Sequence, residues 1–135
     1  MARVERFAIR YARVALGAAF LSAVASRLGL WRDGSFAGFE QYTAEVNSFL
    51  PAAVIPFVAR AATVAETALG IALIPGFQLR WVARGAAALL AIFAIAMAIS
   101  FGLKSPLDYS VFSASAGALL VSCSATRGPA SRATP

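Results

Sequence analysis

Residues 52–74 read AAVIPFVARAATVAETALGIALI, a stretch long enough to cross a bilayer that nevertheless carries Arg60 and Glu66. At about 1.5 Å per helical residue, twenty residues span the ~30 Å hydrocarbon core. Charges at that depth are costly, face the interior of a helical assembly, and point to a function by default. Whether the stretch is a membrane span or a buried soluble helix decides the fold, and the remainder of the chain settles it. Apolar residues make up 60% of the 135 and charged residues 13%, with a mean hydropathy of +0.75. A soluble domain of this size needs about 25% charged residues. The missing polar surface implies that lipid takes the place of water.

Three further stretches have the same character. The expected spans are residues 10–30, 52–74, 81–103 and 106–126, in a single domain covering 1–126, followed by a disordered polar tail over 127–135. Tyr11 and Trp31 supply aromatic belts to the first span, and Arg13 and Arg27 are expected to snorkel to its two opposite interfaces. Pro75-Gly76 separates the second span from the third, while Ser105-Pro106 reads as an N-cap and first helical residue opening the fourth. The fold class is therefore all-α, an integral membrane four-helix bundle. An alternative reading of the N-terminus is a cleaved leader ending at Ala23-Val24-Ala25. It would leave three spans and discard the small-residue face of the first helix.

Between the first two spans, Phe36, Phe39, Tyr42, Val46 and Phe49 recur at helical spacing over residues 35–50. Glu40, Gln41, Glu45 and Ser48 take the other face. This is the pattern of a short amphipathic helix lying on the outer interface; a packed connector would show the same pattern.

Basic residues set the expected topology. Arg3, Arg6, Arg10, Arg13, Arg80, Arg84, Arg127 and Arg132 fall on one side, against Arg27, Arg32 and Lys104 on the other. The positive-inside rule places both termini in the cytoplasm. Helices in lipid gain little from apolar burial, so association depends on small residues. Candidates are Ala15/Ala19 and Ser22/Ser26 on the first helix, and Ala59, Ala62, Thr63 and Gly70 on the second. The third offers Ala87, Ala91, Ala94 and Ala98, and the fourth Ser113 and Gly117.

Composition also excludes chemistry. One cysteine, Cys123, and no histidine leave no paired-thiol centre and no imidazole-ligated metal, so no metal site, haem or iron–sulfur cluster is expected. A redox role would need a diffusible quinone or a partner subunit. The arginines sit at the ends of apolar runs rather than on a polar face, which argues against nucleic acid. The expected partners are membrane lipids and other membrane subunits, with homo-oligomers allowed.

The candidate site residues follow from depth. Arg60 and Glu66 lie ~9 Å apart along the helix and about 120° around it, so they cannot pair with each other. Arg60 is expected to reach outward to Asp108, with Tyr109 beside it, as an outer polar pair. Glu66, supported by Thr63, is expected to reach Arg13 as an interior polar site.

Arg13 followed by Leu16-Gly17-x-x-Phe20, the run ETALGIAL from Glu66 to Leu73 ending at Pro75-Gly76, and SPLDYSVFSASAGALL after Lys104 together resemble the DoxX family of small bacterial four-span membrane proteins. The similarity covers about residues 8 to 123. It implies a four-helix membrane bundle, likeness to a subunit of a quinone-linked sulfur-oxidising complex, and a polar pattern mapping to Arg13 and Glu66. The function expected is an accessory or quinone/lipid-interacting subunit, at most part of a quinone-linked oxidoreductase and not a stand-alone enzyme. The alternatives are a proton-coupled transporter titrating Glu66, or a non-catalytic scaffold.

Overall fold

In a computed structural model, which describes residues 2–127, the chain is helical throughout, with no strand among the described residues. Helix α1 is Arg3–Arg27, α2 is Phe36–Val46, α3 is Ile55–Leu73 after a 3-10 turn at Ala52–Val54, and α4 is Leu79–Phe101. A short α5, Lys104–Asp108, leads into α6, Val111–Thr126. Three helical segments are long and apolar enough to cross a membrane: Arg3–Arg27, Ala52–Leu73 and Leu79–Phe101. The fourth apolar helix has only 16 residues, about 24 Å of rise. The stretch expected as one span over 106–126 is broken where Ser110 adopts φ 56°, a left-handed conformation that no glycine or proline announces. Ser105 does not cap α5 either; Leu103 is the residue before it and gives no side-chain cap. The expected disordered tail lies outside the described residues apart from Arg127.

Helix α1 packs along α3, α4 along α6 and α3, and α1 also touches α6, so the four longer helices form a closed ring of neighbours. Their shared core is built from small side chains: Ala83, Ala86, Ala87 and Ala118 meet Phe20, Leu73 and Val121. Large apolar residues point outward instead, among them Phe57, Ile71, Ile95, Ile99 and Leu120. That inversion follows from a lipid solvent, in which close backbone approach, rather than apolar burial, holds helices together.

Helices α1 and α3 approach closely at two glycines. A Cβ placed on Gly17 would come within 2.7 Å of Ile74 Cγ1 and 3.0 Å of the Gly70 carbonyl oxygen, and one on Gly70 within 2.9 Å of Leu21 Cγ. Between α4 and α6, Ser115 Oγ donates to the Ala87 carbonyl at 2.7 Å. The small residues of α3 were read correctly, since Ala59, Ala62 and Gly70 are buried. Those of α1 and α6 were not. Ala15, Ala19 and Ser113 are exposed, and a Cβ on Gly117 would meet nothing within 4 Å.

Helix α2 begins with Ser35 accepting from the Gly38 amide at 3.0 Å, a standard N-cap. Its buried face carries Thr43 and Val46, and Val46 packs on Ala96 and Met97 of α4. Ser100 Oγ of α4 donates to the Val46 carbonyl and lies 2.9 Å from Ser48 Oγ. The helix is thus fastened across the ends of α3 and α4 rather than resting loosely beside them. The turn from α3 to α4 depends on Gly76. With φ +83°, its amide bonds to Leu73 and the Phe77 amide bonds back to Ala72, a Schellman closure that satisfies the final carbonyls of α3.

Gly17→Ala and Gly70→Ala should each destabilise the protein by about 1–3 kcal/mol through overpacking. Gly117→Ala should be neutral or stabilising by up to about 1 kcal/mol, as helix propensity alone dictates. Thermal unfolding of the three variants in one detergent checks the contrast.

Candidate functional site

Glu66 sits eleven residues into α3, about 16 Å below its first turn, and only 5% of its side chain is exposed. Its partner is Arg27, the last residue of α1, with 10% of its side chain exposed. Arg27 Nη1 donates to Glu66 Oε2 and, at 3.1 Å, to Thr63 Oγ1. Thr63 in turn donates to the Ala59 carbonyl at 2.9 Å. The guanidinium carbon of Arg27 stands 3.5 Å from the centre of the Phe39 ring, so α2 covers the cation with an aromatic face.

This arrangement corrects the expected Arg13–Glu66 pair, and helix geometry supplies the reason. Side chains lean toward the N-terminus of their own helix. α1 and α3 run antiparallel, so Arg27 leans down into the assembly while Glu66 leans up to meet it. From the Gly17–Gly70 contact, Arg27 lies ten residues along α1 and Glu66 four residues back along α3. The axial gap is therefore about 9 Å, which two long, converging side chains close. Arg13 lies on the other side of that contact and packs its guanidinium against Gly76. The signal for the true partner was present in the lean of Arg27, but its position at a span end suggested a snorkelling anchor.

The outer pair is also corrected. Arg60 is exposed on α3, and Asp108 binds Lys104, four residues earlier, at 2.6 and 2.8 Å. An i,i+4 pair on one helix forms locally, so Asp108 has no need of Arg60. Tyr109 is 74% exposed and near Tyr42. Burial, reinforced by Tyr109 and Glu45, holds the Tyr42 phenol above its usual range, so it stays a neutral donor at the rim.

The ion pair forms the floor of a cavity of about 210 Å³. Phe39, Tyr42, Thr43, Val46 and Asn47 of α2 roof it; Val58 and Ala62 of α3, Ile92, Phe93 and Met97 of α4, and Val111 of α6 make the walls. Most of this lining is apolar. The pairing occupies Glu66 Oε2, and Oε1 has no hydrogen-bond partner among the described residues. A carboxylate oxygen and a guanidinium thus share one polar end of a greasy chamber, which suits the polar head of an otherwise apolar molecule. Among the described residues no three His, Cys, Asp or Glu side chains gather as metal ligands.

Arg27→Met should cost about 3–5 kcal/mol, because it strands a buried carboxylate, whereas Arg27→Met/Glu66→Leu should recover most of that loss. Arg60→Gln should change stability by less than about 0.5 kcal/mol. Thermal melts of wild type, Arg27→Met, Glu66→Leu and the double variant give the coupling energy, with Arg60→Gln as the control.

Residues 5–108 match the family model described as methylamine utilisation protein MauE. No curated protein and no solved structure matches the chain. The match covers well over half of the sequence, and the chain belongs to the MauE family. The resemblance to DoxX is thereby overturned. Its motifs were short apolar patterns with small residues and a single acid, which helix packing in lipid imposes on many unrelated chains. With its family and its apolar helices, the chain is a membrane protein.

Proposed function

Taking the MauE family as the premise, we propose that this chain is an accessory membrane protein. It holds the polar head of an apolar membrane molecule, a quinone or a lipid, in the cavity beneath α2 for a partner subunit. The observation that carries this reading is the Arg27–Glu66 pair at the floor of an apolar cavity, with one carboxylate oxygen uncommitted. The cavity, about 210 Å³, is smaller than the ~300–1,000 Å³ of a typical site for a complete small molecule. A head group fits it, with the tail leaving between helices into lipid. Arg27 offers donors to a carbonyl or ester oxygen, and Glu66 Oε1 accepts from a hydroxyl. A quinone ring, which alternates between those two groups, finds a partner in either state. When bound it would supply electron-transfer chemistry that no side chain here offers.

The proposed architecture is a multi-pass bundle of the inner membrane with four spans, α5 and α6 together making the fourth, and both termini in the cytoplasm. The basic ends of α1 and α4 support that orientation. Helix α2 then caps the outer face at the interface. The family description names methylamine utilisation, and the partners proposed are membrane subunits of such a system. A proton-coupled carrier is less well supported, because Glu66 is committed to Arg27.

Purification in mild detergent followed by organic extraction and mass spectrometry tests the proposal. The wild-type protein should carry a quinone or a defined lipid near one per chain. Ala62→Phe, which fills the cavity, should lose it while keeping its melting temperature within a few degrees. Equal recovery from wild type and Ala62→Phe, or none from either, contradicts the proposal. A passive scaffold would give the second result.

A further inference from the structure

At the end of the assembly opposite the cavity lies a second recess of about 220 Å³, which the reading above leaves unused. Arg6, Arg10 and Arg13 of α1 line it, together with Ile9, Leu79 at the start of α4, and the last turn of α6. At 100° per residue, positions 6, 10 and 13 fall within an arc of about 60°, so three guanidiniums share one face of α1. No acidic residue among the described residues lines the recess. Arg10 and Arg13 form no ion pair with any described residue.

Arg13 is the most telling of the three. Its guanidinium is held against the Gly76 turn, where any side chain would strike it. Its Nε is buried and has no hydrogen-bond partner. A buried donor without an acceptor costs about 1–3 kcal/mol, and an anion seated in the recess would remove that cost. Forked guanidinium donors match the oxygens of a phosphate.

The surroundings place this recess at head-group level. Phe7 and Tyr11 stack with ring centres 6.2 Å apart on the exposed side of α1. Phe77 and Trp81 are 67% and 59% exposed at the same end. Exposed aromatic residues of this kind mark the membrane–water interface. Ile9 and Leu79 give the recess an apolar border against which an acyl chain can lie.

We propose that the Arg6–Arg10–Arg13 recess binds the phosphate head group of an anionic lipid in the leaflet at this end of the bundle. The lipid would bridge α1 to the α3–α4 turn and to the end of α6, locking the face of the molecule opposite the cavity. This site is independent of the cavity ligand and stands or falls separately from it.

Native mass spectrometry of the detergent-solubilised chain, titrated with phosphatidylglycerol or phosphatidylcholine, tests the assignment. Phosphatidylglycerol should bind preferentially, and Arg10→Gln or Arg13→Gln should each weaken it about fivefold. Arg84→Gln removes a charge from the same end that stacks on Trp81 outside the recess, and should leave binding nearly unchanged. Two independent recess variants keep the test informative where one of them folds poorly. Equal weakening by Arg84→Gln would show diffuse surface charge instead of a site and overturn the proposal. Displacement of the lipid by an equal concentration of inorganic phosphate would also overturn it, by making free phosphate the ligand.

Discussion

The organising constraint of this molecule is one buried ion pair, Arg27 with Glu66, made between two antiparallel helices in mostly apolar surroundings. Neither charge is tolerable there alone. Glu66 needs a cation about 16 Å below the start of α3, and only a residue near the far end of α1 can lean down to it. The pair therefore fixes the register of α1 against α3, and the Gly17–Gly70 contact makes that register sterically available. Phe39 covers Arg27, which brings α2 over the pair, and Ser100 ties the other end of α2 to α4. Register, lid and cavity are consequences of a single electrostatic requirement.

Much of the architecture could be read from the chain because membranes impose simple rules. Length and hydropathy pointed to long apolar helices, three of which are long enough to cross a membrane, and the position of Glu66 marked it as exceptional. The helix over 35–50 was also legible from spacing, although its role as a packed cover was not. The last apolar stretch was harder. Ser110 turns left-handed inside an apolar run with no glycine or proline to signal it, so a local pattern predicts one continuous helix where two are formed. Small residues are equally ambiguous, since an alanine stripe looks the same whether it faces a neighbour or lipid. On α3 the stripe lies inward; on α1 Ala15 and Ala19 lie outward, and the approach is made by Gly17.

Pairing was the least legible level. Sequence supplies the charges but not the relative height of two helices, and height decides which arginine meets which acid. Arg13 and Arg27 look interchangeable in a linear reading, each near one end of the first span. Side-chain lean breaks that symmetry: on α1 it carries Arg27 inward and Arg13 outward, toward the turn at Gly76. The two arginines consequently serve opposite ends of the protein. One completes a polar floor beneath an apolar cavity; the other lines a basic recess at the opposite end. Family identity behaved in the same way, since motifs that report packing in lipid fixed the kind of molecule and pointed to the wrong relatives.

Charge reversal examines the pairing most directly. Glu66→Arg places two cations together and should prevent stable accumulation in the membrane. Adding Arg27→Glu should restore folded protein, as judged by a monodisperse, cooperatively melting preparation, while adding Arg13→Glu should not. Rescue by Arg13→Glu in place of Arg27→Glu would contradict the helix register on which the site rests.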